Sequence, residues 1–263
     1  MDIFEKATQQ FLHVGTQEPK PLPSDVTTTS IQIATPPQGQ EQSDMTVKVH
    51  CQGNGPAALL VHGWRSQAAN LQNLSTLLVD AGFQVWMPDL PGHGHSEGER
   101  LSMPLAADVL HAVQKISGPF SMAVGHSYGG ASLVHAIAGG LDVKRVALLA
   151  APTHYGQFAR LSASQAGLPK DMVDAWLLYL EKEIGCHPDE IDMKRQAQTL
   201  SMPALLAHSS DDPVAPFDQL REVASIWRGA KWLPLEGLGH FRLLSDPALL
   251  SELKQFARQH EVL

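Results

Sequence analysis

Hydrophobic and polar positions alternate in two ways along this chain, and the rhythm changes near residue 57. Before it, SIQIAT (30–35) and MTVKVHC (45–51) place every second residue on one face. A period of two predicts half-buried strands, and the Pro/Gly/Gln stretch between them predicts an antiparallel hairpin. Upstream, Ile3 to His13 reads as a short helix, and EPKPLPSD (18–25) as an extended surface segment.

After residue 57 the strands lose their alternation. AALLVH (57–62), FQVWMPD (83–89), FSMAVG (120–125), VKRVALLA (143–150), PALLAHS (203–209) and AKWLPLE (230–236) are mostly unbroken apolar runs. Such runs suit strands covered on both faces. Helical stripes fall between them. One is Leu71, Leu74, Leu77 and Leu78; another runs from Leu105 through Val109 and Val113 to Ile116. Further helices are expected over 127–138 and 218–227, and a last one buries Leu249, Leu250, Leu253 and Phe256. Strands alternating with helices predict an α/β fold: a mostly parallel sheet of about eight strands, helices on both faces, the hairpin extending it.

One segment breaks the pattern. Between 152 and 200 there is no strand-type run, and Met172, Val173, Trp176, Leu177, Leu180 and Ile184 mark one amphipathic helix. The expectation is a single domain over 1–263, with 152–200 as a helical cap above the sheet edge rather than a crossover packed on its face.

Composition narrows the function classes. The chain has 263 residues, a formal charge of −8 and 43% hydrophobic residues, an ordinary globular balance that favours neither nucleic acid nor an anionic membrane surface. Cys51 and Cys186 form no CxxC pattern and read as unpaired thiols. No secretory signal and no membrane-spanning run is read, so a cytoplasmic location is expected. A homodimer is allowed by the sequence and not required by it.

The chemistry gathers where strands end. Gly125-His126-Ser127-Tyr128-Gly129 is G-x-S-x-G between a strand and a helix. Small flanking residues permit a sharp turn that lifts a serine hydroxyl above the sheet edge. Serine needs a base, and the base needs an orienting carboxylate. Asp211 and Asp212 follow the strand at 203–209, and both are candidates; His240 follows the last strand in a glycine-flanked loop. Charge developing on a carbonyl oxygen needs preorganised N–H donors, each contributing roughly 10²–10³ in rate. The amides of Tyr128, directly after the serine, and of Trp64, in VHGWRS, are the expected pair. His93-x-His95 in DLPGHGHSEG is a rival metal motif, but it lacks a third ligand at the usual spacing, so no metal is expected. No Walker A or dinucleotide fingerprint occurs in strand–helix context, so no cofactor is expected.

Together VHGW (61–64), DLPGHGHSEG (89–98), GHSYGG (125–130), SSDDPVAP (209–216) and GLGHF (237–241) resemble the α/β-hydrolase superfamily. The likeness spans the chain from about residue 57 to its end, and within the superfamily the chain resembles bacterial serine carboxylesterases with a small cap. The loop GHGHSEGER is also similar to that of monoacylglycerol lipases. The resemblance implies Ser127 as nucleophile, His240 as general base and Asp212, placed as in the family's D-x-x-V-P-like run, as the acid. It implies hydrolysis of small or medium-chain carboxylic esters through an acyl-enzyme. The same triad acting on a thioester, lactone, amide, monoacylglycerol or carbon–carbon bond, or a non-catalytic ligand-binding relative, are the alternatives. Trp64, Tyr128, Trp176 and Phe241 are expected to wall the substrate pocket. Tyr128 departs from the pattern, since many relatives carry Leu or Met there.

Overall fold

A computed structural model describes residues 2–34 and 44–259. The strands are β1 (Thr27–Ala34), β2 (Asp44–Gln52), β3 (Ala57–Val61), β4 (Gln84–Pro88), β5 (Met122–His126), β6 (Val146–Leu149), β7 (Ala204–Ser209) and β8 (Ala230–Leu235). They form one sheet in the order β1-β2-β4-β3-β5-β6-β7-β8. β1 and β2 pair antiparallel, with Thr27 opposite Cys51 and Ala34 opposite Asp44, and β2 pairs antiparallel with β4. All later pairings are parallel. The expected connection of the hairpin, residues 35–43, lies outside the described residues.

The unbroken apolar runs have a direct cause. Leu59, Val61, Leu148 and Leu206 enter one core, while their chain neighbours Leu60, Leu149 and Leu205 enter another on the opposite face. A strand's side chains alternate between faces, so a sheet covered on both sides leaves no position for polar residues. The helices are α1 (Ile3–Leu12), α2 (Gln72–Asp80), α3 (Met103–Ser117), α4 (Tyr128–Ala138), α5 (Tyr155–Gln165), α6 (Val173–Ile184), α7 (Met193–Ala197), α8 (Phe217–Ile226) and α9 (Pro247–Arg258). Buried residues of α3, α4 and α8 join the first core; those of α2 and α9 join the second.

From β3 the chain first adds β4 on one side, then crosses to β5 on the other. Such a reversal opens a crevice at the carboxyl ends of the two strands, where ligands bind in open α/β sheets.

The 152–200 segment holds α5, α6 and α7, where periodicity picked out only the helix at α6. α5 (YGQFARLSASQ) carries few apolar residues, so it leaves almost no stripe in the sequence. α1, the short helix of the opening residues, packs on this layer. The Phe11 ring lies 5.1 Å from that of Tyr155 and 6.0 Å from that of Trp176, and Trp176 Nε1–H donates to Thr8 Oγ1 at 2.9 Å.

Candidate active site

Ser127 stands alone between β5 and α4 at φ 53°, ψ −126°. A non-glycine residue in the left-handed region costs on the order of 1–3 kcal/mol and persists only where its surroundings hold it. Here Ser127 N–H donates to Leu149 O at 2.8 Å, and Ser127 O accepts from Gly130 N at 2.9 Å. The turn is too tight for side chains at its flanks. A Cβ on Gly125 would lie 2.6 Å from Gly130 backbone, and one on Gly129 would lie 2.4 Å from His62 O.

Loops from β7 and β8 converge on this serine. His240 Nε2 lies 2.8 Å from Ser127 Oγ, and His240 Nδ1 lies 2.7 Å from Asp212 Oδ2. Ser127 is buried, and so are the side chains of His240 and Asp212. Of the two adjacent aspartates, Asp212 faces the imidazole. Asp211 instead accepts from Ser209 Oγ and from Gly239 N, bracing the loop that carries His240.

Two further histidines belong to the site, and the motif reading did not single them out. His208, on β7, reaches the same Asp212 Oδ2 through Nε2 at 2.9 Å. His126 Nε2–H donates to the His240 carbonyl at 2.9 Å, holding the backbone of the loop after β8. The signal for His208 was its i, i+4 spacing to Asp212. Asp212 Oδ1 takes the Val214 and Ala215 N–H groups. Burial acts to raise the Asp212 carboxyl. Hydrogen bonds from His208, His240, Ala215 and Val214 outweigh it and hold the group well below the usual carboxylate range.

The loops after β3 and β4 are knitted by histidines with defined tautomers. His62 Nδ1–H donates to Gly63 O at 2.8 Å, and its Nε2 accepts from Leu90 N at 2.9 Å. His93 Nδ1–H donates to Pro91 O at 2.9 Å, and its Nε2 accepts from Arg65 N at 3.0 Å. Both nitrogens of His93 are thereby committed to backbone. The rival metal reading moves elsewhere: His95, Asp89 and His50 bring one ligand atom each within 4.8 Å of one another. Only His95 of the sequence motif takes part; the other two groups are His50 from β2 and Asp89 from the start of the same loop. In this cluster Asp89 Oδ1 takes the Ala68 N–H, while Oδ2 takes His95 N–H and lies 3.0 Å from His50 Nε2. The carboxylate therefore already has its hydrogen-bond donors, and the cluster clamps the loop.

These buried imidazoles make the fold acid-sensitive. Burial pulls His126 down to about 4 and His93 down to about 3, from an ordinary value of 6.5. Between those values the unfolded chain binds protons that the folded chain does not, so stability falls as pH drops below about 6.5 and continues to fall toward 4. At pH 5 each should cost about 2 kcal/mol. Urea unfolding at pH 7 and pH 5 checks this: equal midpoints would contradict it, and replacing both residues with Gln should weaken the dependence, with the buried His62 and the half-buried His135, also lowered by burial, keeping part of it.

A cavity of about 280 Å³ opens beside Ser127. Trp64 and Tyr128 line it, their rings 5.4 Å apart. The other two expected wall residues lie elsewhere. Trp176 is completely buried behind Phe11, where its indole N–H is taken by Thr8. Phe241 is 64% exposed and packs against His240 and His126 outside the cavity lining. Among the described residues, neither the Trp64 nor the Tyr128 N–H has an intramolecular acceptor. Gly63 brings the Trp64 loop against the serine, since a Cβ there would lie 2.9 Å from Ser127 Cβ.

Comparison with known proteins places this geometry among relatives. A pimeloyl-[acyl-carrier protein] methyl ester esterase of Xanthomonas campestris pv. campestris is 34% identical over 103 residues, 39% of this chain and 40% of that protein. One of Stenotrophomonas maltophilia is 32% identical over 130 residues, 44% of this chain and 49% of its own length. The chain thus matches less than half the length of these curated relatives. A thermophilic esterase from Thermogutta terrifontis shares the fold at a TM-score of 0.65 and 18% identity, covering 88% of this chain and 98% of that one. No helix among the described residues is long and apolar enough to cross a membrane. The sheet order, the serine at the β5–α4 turn and a match over residues 58–253 lead to one assignment: the chain belongs to the alpha/beta hydrolase family.

Proposed function

We propose that the protein hydrolyses carboxylic esters by nucleophilic catalysis at Ser127. The observation that carries this reading is the unbroken hydrogen-bonded line from Ser127 Oγ through His240 to Asp212, with Ser127 lining a largely apolar cavity. The Asp212 carboxylate, kept ionised by its donors, takes the His240 Nδ1–H and leaves Nε2 unprotonated toward the serine. As Ser127 Oγ attacks the ester carbonyl, Nε2 takes its proton and the C=O π pair moves onto oxygen. The Trp64 and Tyr128 amides, which have no internal acceptor among the described residues, receive that oxyanion. Collapse of the tetrahedral adduct expels the alcohol, which takes the proton from His240. Water then repeats the sequence on the acyl-enzyme and releases the acid.

The family's name alone fits many bonds. The ester named for the curated relatives favours a carboxylic ester over a thioester, lactone, amide or carbon–carbon bond. In the same reading, residues 152–200 act as the cap over the site; α5 lends Phe158 and Leu161 to the cavity lining, which favours this over a crossover packed on the sheet face. A fluorophosphonate probe should label the native protein at Ser127, located by peptide mass spectrometry. Absence of label on the folded protein would return the non-catalytic alternative.

A further inference from the structure

We propose that α1 belongs to the substrate-binding apparatus, with Phe11 setting how long a hydrocarbon chain of the ester the cavity accepts. The inference rests on the esterase reading above and deepens it. α1 lies outside the stretch that matches the family, which begins at residue 58. Its last turn nevertheless supplies Gln10 and Phe11 to the cavity, and His13 follows.

A line of aromatic contacts leads from the nucleophile to this helix. Tyr128, next to Ser127, has its ring 6.5 Å from Tyr155, and Tyr155 is 5.1 Å from Phe11. Phe11 therefore stands two ring contacts beyond the serine's neighbour. Behind it is Trp176, completely buried and held by Thr8, so the Phe11 ring has firm backing on that side. A rigid wall discriminates by size where a mobile one would yield.

The position of α1 relative to Ser127 is set by backbone bonds on both sides. Leu101 N donates to Leu12 O at 2.9 Å, and Val14 N donates to Glu99 O at 2.9 Å. Arg65 Nε donates to Val14 O at 3.0 Å, tying this segment to the loop that carries Trp64. The chemistry of the cavity identifies its occupant. Met103, Phe158, Leu161, Ile191 and Met193 contribute apolar surface, and no Asp or Glu stands among the described lining residues. An alkyl chain brings no charge of its own into this lining, whereas an ammonium group would find no anion; the lining guanidinium, Arg65, has its Nε on Val14 O.

The test compares kcat/KM for p-nitrophenyl esters from acetate to dodecanoate, and for acetate esters of alcohols of the same lengths. Phe11→Ala should raise the long-to-short ratio in one series by about tenfold or more, and Phe11→Trp should lower it. Unchanged ratios in both series for folded variants would overturn the inference while leaving the Ser127 reading intact. Should Phe11→Ala fail to fold, Phe11→Leu and Phe11→Trp carry the comparison. Should the native protein turn over no ester, the esterase reading falls instead. Calorimetric binding of hexanoate and dodecanoate then decides: a selective loss of dodecanoate affinity in Phe11→Trp supports the wall, and parallel affinities refute it.

Discussion

Ser127→Ala should lower ester turnover by at least about 10⁴-fold while the protein stays folded, a loss of the size seen when a serine nucleophile is removed from a working triad. The substitution deletes one oxygen. It keeps a Cβ in the same backbone conformation, so the contacts that hold φ at 53° remain. Ser127 N–H still reaches Leu149 O, and Gly130 N still reaches the carbonyl of residue 127. The hydrogen bond to His240 is lost, and the oxyanion amides remain without a covalent step to assist. Steady-state kinetics on a short p-nitrophenyl ester, with circular dichroism as the folding control, measure the effect. Activity above about one per cent of native would sink the nucleophile assignment.

Asp212→Asn should lower kcat by about 10⁴-fold with a near-native fold. The reason lies in the count of donors around the carboxylate. One oxygen faces two backbone N–H groups, of Val214 and Ala215, and the other faces His240 and His208. An amide presents an NH₂ to one of these pairs in either orientation. Turned toward the histidines, it forces His240 to accept at Nδ1 and carry its proton on Nε2. The nitrogen facing Ser127 is then a donor and takes no proton from the hydroxyl. Turned toward the loop, it sets donor against donor at two amides. Kinetics with thermal unfolding as the control would decide this, and a variant within tenfold of native kcat would remove Asp212 from the mechanism. Asp211→Asn provides the contrast: its carboxylate braces the Gly239 loop and does not touch the imidazole, so its effect should be far smaller.

Much of this architecture was legible along the chain because burial leaves a periodic trace. β3, β5, β6 and β7 read as unbroken apolar runs because helices cover both faces of the sheet. The turn at Ser127 was legible because only small residues fit where Gly125 meets Gly130 and Gly129 meets His62. Other parts left no such trace. α5 packs through few apolar side chains, so its stripe is faint. Trp176 sits on an amphipathic face, and that face reports burial without naming what covers it. The cover is α1, through Thr8 and Phe11.

From the sequence by itself came the parallel sheet, the order of its strands and helices along the chain, and a serine raised at a strand end with a carboxylate and an imidazole following later strands. Those are properties of each segment against its own axis, and local sterics and burial encode them. The tertiary structure alone decided that His208 shares the Asp212 oxygen that faces His240, that Asp211 braces the Gly239 loop instead, that Phe241 lies outside the cavity lining, and that the first helix forms part of its wall. Each of these is a relation between segments far apart in the chain, and such relations exist only once packing has set their distance and direction.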